Sequence, residues 1–274
     1  MKKTMISSVS LFVGLALLNG CTASSESKEN LVGECIPGIV GGYSTSKSDP
    51  LSKKVVMLIG STVDSDGNPA SSVCTGTPIT DDVILTAAHC VKGNTEMKAY
   101  FVTDATCSSG FRLSKTGVAA SSFAYDHNYR DSKYSGIKND VALVRLKSKI
   151  PADYDISQLY MGDQLSSDTV TLVGYGKTSE TKQDSAFLRS KLKSYSRDVR
   201  VSTETVTIQQ QDGGLCSGDS GGPIFVEVNG EKQILAVTSY VSNMTESTIC
   251  HGTATGMYSK SILPWIEKTL PSLQ

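Results

Sequence analysis

The chain of 274 residues is 39% hydrophobic and 19% charged with a net charge of −1, an ordinary globular composition with material for one or two substantial cores. That balance argues against disorder and removes the electrostatic case for nucleic acid. The sequence also carries no repeat, phosphate loop, polybasic tract or helical heptad.

Met1-Lys2-Lys3 and the apolar stretch through Leu18 have the charged head and short hydrophobic run of an export signal, so this segment is set apart from the fold. It ends in Leu18-Asn19-Gly20-Cys21, which resembles a bacterial lipobox, although Asn19 is not favoured at its position. Lipidation of Cys21, tying the protein to a cell envelope, is the expectation. Ordinary cleavage near Ala23 with free secretion is one alternative, and an uncleaved anchor, for which the run is short, is another. Residues 22–38 form a tether and pro-segment, and Thr22 to Asn30 is Ser-rich and polar like a solvated spacer.

Beyond residue 38, short β-branched runs follow one another: Val55 to Ile59, Val83-Ile84-Leu85, Val141 to Leu146, Val170 to Val173, Ile224 to Val228 and Ile234 to Ser239. Gly, Asp, Asn and Ser punctuate them, which predicts an antiparallel barrel or sandwich. Lys147 to Tyr160, with Pro151, is the natural crossover between two halves. Only about Lys260 to Leu270 reads as helix, from Ile262, Ile266 and Leu270 at helical spacing, with Pro264 tolerable in a first turn.

Three segments carry chemistry. Cys216-Ser217-Gly218-Asp219-Ser220-Gly221-Gly222-Pro223 puts a serine among glycines that leave its backbone approachable. In Leu85-Thr86-Ala87-Ala88-His89-Cys90 a histidine follows a short strand, and Asn139-Asp140-Val141-Ala142-Leu143 places a carboxylate at the head of another. A serine hydroxyl is a poor nucleophile unless an imidazole takes its proton and a carboxylate fixes the imidazole tautomer. Read singly, each is a turn serine, a structural histidine or a strand-edge charge.

Together, and in this order, they resemble the trypsin/chymotrypsin-type serine proteases. The likeness continues through Ile39-Val40-Gly41-Gly42, Val173-Gly174-Tyr175-Gly176 and Tyr258-Ser259 to Ile262-Leu263-Pro264-Trp265-Ile266. It implies an all-β domain over 39–274: two antiparallel six-stranded Greek-key barrels, about 39–150 and 151–274, with a C-terminal helix and the active site between them. Catalytic roles would fall to His89, Asp140 and Ser220, with the N–H groups of Gly218 and Ser220 as oxyanion hole. Cleavage before Ile39 would release an amino group that pairs with Asp219, but Gly38 is not the Arg or Lys a tryptic activator needs. The resemblance pairs Cys74 with Cys90 and Cys216 with Cys250; Cys35 and Cys107 remain as a third pair. No close Cys-x-x-Cys recommends a metal, and no organic cofactor is called for. His127 and His251 read as surface or loop histidines.

By the same resemblance, Gly214 sits at the base of the primary pocket where trypsin-like members carry aspartate, Ser239-Tyr240-Val241 forms one wall, and Gly256 belongs to the other. Cleavage after Arg or Lys is therefore not expected. Valine at 241 narrows the pocket toward small or medium apolar side chains, with an aromatic preference as runner-up. Leu188 to Leu215 lacks a disulfide common in the family. The expected partners are protein or peptide substrates and an activating protease, acting on a monomer. An esterase on this fold, or a catalytically silent binding module, are the readings from other classes.

Overall fold

A computed structural model describes residues 39–105, 117–132, 136–165, 167–177, 188–242 and 250–273. The expected export signal, tether, lipidated Cys21 and Cys35–Cys107 pair lie outside these residues.

The first half contains β1 (Tyr43–Ser44), β2 (Val56–Val63), β3 (Pro69–Pro78), β4 (Val83–Thr86), β5 (Glu96–Tyr100), β6 (Val118–Tyr125), β7 (Arg130–Ser132), β8 (Gly136–Lys138) and β9 (Ala142–Leu146). Six of them close into a barrel in the order β2-β3-β4-β9-β6-β5, and β7 and β8 form a separate ribbon. The first five residues of β2 are buried without alternation. Val56 and Leu58 point into the barrel core, while Met57 and Ile59 point out into a second apolar layer. A strand covered on both faces reads as a continuous apolar run, as this one does.

The second half contains β10 (Thr169–Gly174), β11 (Arg189–Ser194), β12 (Val199–Val201), β13 (Thr205–Gln209), β14 (Pro223–Val228), β15 (Glu231–Ser242) and β16 (Thr253–Tyr258). With β1 they make one antiparallel sheet in the order β1-β11-β10-β14-β15-β16-β13-β12. Leu172 of β10 and Val199 of β12 share a core with Ile208 and Ile224, so strands from distant parts of the sheet roll around one centre. The sheet has eight strands rather than six, and among the described residues its two edge strands are not paired with each other. Two local features account for this: Tyr43–Ser44 occupies the outer edge of β11, and the one-turn helix Tyr195–Asp198 separates β11 from β12.

The second apolar layer belongs to both halves, with Met57, Leu85 and Leu143 from the first and Val173, Phe225 and Met257 from the second. The C-terminal helix Ser259–Thr269 seals it with Ile262 and Ile266. The helix starts at Ser259, so Pro264 lies beyond the first turn and removes the N–H that would reach the Lys260 carbonyl. The connection between β9 and β10 includes the expected crossover, and Leu159 bridges Ile234 on its way.

Candidate active site

Buried β4 delivers the chain to Ala87 and Ala88, whose small side chains let the following 3-10 turn, Ala88–Cys90, tuck against the barrel. His89 is held there, and the Cys74–Cys90 disulfide ties the turn to β3. Asp140 follows Asn139, which takes φ = 52°. Asparagine tolerates that left-handed conformation better than most residues.

Asp140 is fully buried and its carboxylate is densely solvated by the protein. One oxygen accepts the His89 backbone N–H at 2.9 Å; the other lies 2.8 Å from His89 Nδ1 and accepts the Ser239 hydroxyl at 2.5 Å. Burial works against the charge, but the His89 ring, the Ser239 hydroxyl and the His89 N–H outweigh it and hold the carboxyl below its usual value. An ionised Asp140 makes Nδ1 the protonated nitrogen and leaves Nε2 able to accept a proton.

Ser220 sits in a doubly turned loop, with the Asp219 N–H donating to the Cys216 carbonyl at 3.1 Å and the Gly222 N–H to the Asp219 carbonyl at 2.9 Å. The Ser220 hydroxyl faces the Ser239 carbonyl at 3.5 Å, and no Ser220–His89 hydrogen bond is formed among the described residues. Gly218 takes φ = 97°, open to glycine but costly for other residues. Among the described residues neither the Gly218 N–H nor the Ser220 N–H donates to a protein acceptor, so both are free for an anionic oxygen.

Thr75 on β3 clamps this loop to the first barrel. Its N–H donates to the Ser220 carbonyl at 2.9 Å, and its hydroxyl donates to the Gly218 carbonyl at 2.9 Å while accepting the Tyr175 N–H at 3.1 Å.

Asp219 turns away from Ser220 into the second half, fully buried. Burial pushes its carboxyl up to about 7 against three backbone donors, the N–H groups of Cys216, Gly176 and Ile39. A Cβ at Gly174 would lie 2.2 Å from one Asp219 oxygen and a Cβ at Gly176 2.6 Å from the other, so the two glycines are the cradle of that carboxylate. Ile39 is buried in the second core, and its N-terminal side is strained: φ = 25° is an outlier for a β-branched residue. The Val40 N–H donates to the Gly214 carbonyl at 2.9 Å.

Beside Ser220 opens a pocket of about 360 Å³, walled by Ser239, Tyr240 and Val241. Leu215, Cys216, Ser217 and Thr238 also line it. Gly214 and Gly256 are buried outside this lining: a Cβ at Gly214 would collide with Gln210, and one at Gly256 would meet Ile224 and the Val237 carbonyl at 2.9 Å.

A family model for trypsin matches residues 39–266. The chain belongs to the trypsin family. Curated relatives of this trypsin-family chain include the CLIP domain-containing serine protease B15 of Anopheles gambiae, 24% identical over 229 residues, 72% of this chain and 61% of that protein. Phenoloxidase-activating enzyme 1 of Spodoptera litura is 25% identical over 192 residues, 61% of this chain and 51% of that one. Serine protease SP24D of Anopheles gambiae is 24% identical over 246 residues, covering 85% and 81%. The chain thus spans little more than half the length of the first two. A solved structure described as HL collagenase superposes with a TM-score of 0.66 at 20% identity, covering 85% of this chain and 99% of that one, which shows the shared fold.

Both disulfides implied by the trypsin-family resemblance are formed, Cys74–Cys90 and Cys216–Cys250. Cys74, His89 and Cys90 are grouped closely enough to suggest a metal, but the two sulfurs are bonded to each other and offer no thiolate. The His127 side chain is 79% exposed, and His251 Nδ1 faces the Gln211 carbonyl at 3.0 Å. Sequence reading missed Thr75, Leu215, Thr238 and the hydroxyl of Ser239 as a partner of Asp140. The available signal was positional: Thr75 follows Cys74, and Leu215 precedes Cys216.

Proposed function

We propose that this chain is a serine endopeptidase. The observation that carries the reading is the Asp140–His89 pair, a buried carboxylate with three donors holding the imidazole beside Ser220 and its two free N–H groups. In the first step Ser220 Oγ attacks the peptide carbonyl, its proton passes to His89 Nε2, and Asp140 supports the imidazolium. The tetrahedral oxygen is held by the N–H groups of Gly218 and Ser220, each such donor contributing about 2.7–4 kcal/mol in related chemistry. His89 then protonates the leaving amine, and water returns the acyl-enzyme to free Ser220.

Cleavage before Ile39 activates the enzyme in this reading. It removes the strained φ of Ile39 and replaces an amide N–H with an ammonium group facing Asp219. Among the described residues the pocket lining carries no charged side chain, and the Val241 side chain favours small or medium apolar residues before the scissile bond. Two disulfides support an exported, oxidising setting, and Cys21 is the lipid attachment site.

A second reading, a silent binding module on the protease fold, has one observation in its favour: Ser220 faces the Ser239 carbonyl instead of His89. Labelling by a fluorophosphonate probe of the chain starting at Ile39, with Ser220→Ala as control, decides between them. Labelling that disappears in Ser220→Ala supports the peptidase; a folded chain that takes no probe supports the binding module.

A further inference from the structure

Gln210 lies just past β13, fully buried between two neighbours of the same type that are exposed, Gln209 and Gln211. Its amide oxygen accepts the Leu215 N–H at 2.5 Å, and its amide nitrogen donates to the Leu215 carbonyl at 3.0 Å and to the Cys250 carbonyl at 3.3 Å. The side chain therefore treats Leu215 as a strand partner would, satisfying both of its backbone groups. It also reaches Cys250, whose disulfide partner Cys216 lines the pocket beside Leu215. A side chain must donate twice and accept once here, and among residues of this length only a neutral amide does both. Its oxygen also fills the space beside Gly214: a Cβ there would sit 2.2 Å from it.

We propose that Gln210 is a positioning residue that sets the specificity of this pocket, fixing Leu215 from behind and excluding any side chain, acidic or otherwise, from position 214. The wall it backs is apolar, and a basic residue before the scissile bond meets no counter-charge among the lining residues. The substrate class is thereby restricted to peptides with a short uncharged side chain at that position. This inference rests on the peptidase reading.

The test compares two variants of the chain starting at Ile39, Gln210→Leu and Gln210→Glu, by two readouts. Fluorophosphonate labelling rate reports Ser220 and His89 without using the pocket wall. The ratio of kcat/KM for peptides ending in valine and in phenylalanine reports the pocket, and effects common to both peptides cancel in that ratio. Gln210→Leu removes the side-chain partner of both Leu215 backbone groups, and the ratio shifts at least tenfold while the labelling rate stays within about threefold. In Gln210→Glu the protonated carboxyl can still donate once, whereas the ionised form faces two carbonyls. Its ratio therefore moves toward that of Gln210→Leu as pH rises. Asp212, which carries Lys191 and Lys193, and His251 and Asp219 are the charged or titratable neighbours. All are retained in the wild-type chain, whose ratio is flat over the same range. Labelled variants with a wild-type ratio at every pH overturn the inference alone. A wild-type chain starting at Ile39 that takes no probe refutes the peptidase reading, and this inference with it.

Discussion

Releasing residues 1–38 would turn the Ile39 amide into an ammonium group facing the buried Asp219 carboxyl, and a pH titration of stability distinguishes the two states. In the continuous chain the carboxyl is raised from 3.8 to about 7. Below about pH 3.8 it is protonated whether the chain is folded or not, and it costs nothing. As pH rises from about 3.8 toward the folded value the unfolded chain ionises first, so stability is lost, and above about 7 the loss is complete. At 1.36 kcal/mol per pH unit the total is about 4 kcal/mol. With a urea slope of about 2 kcal/mol per molar, that is a fall of roughly 2 M in unfolding midpoint. The measurement is urea unfolding at about pH 4 and pH 8 for the continuous chain, its Asp219→Asn variant and the chain starting at Ile39; ionisations elsewhere are common to all three and cancel. The continuous chain is expected to fall relative to Asp219→Asn, whereas the ammonium of the chain starting at Ile39 offsets the loss. Parallel midpoints for the continuous chain and Asp219→Asn would refute the account of Asp219 given above.

Three further outcomes are expected. Asp140→Asn leaves the packing intact but removes the charge that fixes the His89 tautomer, and kcat falls on the order of 10⁴-fold in a steady-state peptide assay. Thr75→Val deletes the hydroxyl bonded to Gly218 and Tyr175, lowering kcat about tenfold with KM little changed, and Thr75→Ser restores it; equal losses in both variants would remove Thr75 from the argument. Val241→Gly widens the pocket and moves preference in a peptide library toward aromatic residues, by about 1–3 kcal/mol in relative kcat/KM.

The β-rich class and the chain order of His89, Asp140 and Ser220 were legible because both are written locally, in β-branched runs and in short strings around each residue. Openness of the second sheet was not, since it depends on two residues, Tyr43 and Ser44, finding the edge of β11 far along the chain. Gln209, Gln210 and Gln211 are three identical letters, and the in-out alternation of β13, carried one residue past its end, makes the middle one a buried brace. Gly174 and Gly176 stood in the sequence only as part of the family likeness, but their lack of a side chain is demanded by Asp219, which approaches from more than forty positions away. Thr75 posed the same difficulty: one hydroxyl among several in β3 reveals its partners only when the strand is laid against another loop.

The layer of Met57, Leu85 and Leu143 against Val173, Phe225 and Met257 has a consequence for how the molecule can be taken apart. In the proposed mechanism neither half owns the reacting groups, because His89 and Asp140 belong to one and Ser220 to the other. A chain severed in the connection between β9 and β10 would consist of two inert pieces, and turnover would return only on reassociation. Fused to two other proteins, such fragments would convert their encounter into a catalytic signal, with the shared apolar layer setting how tightly the pair must be brought together.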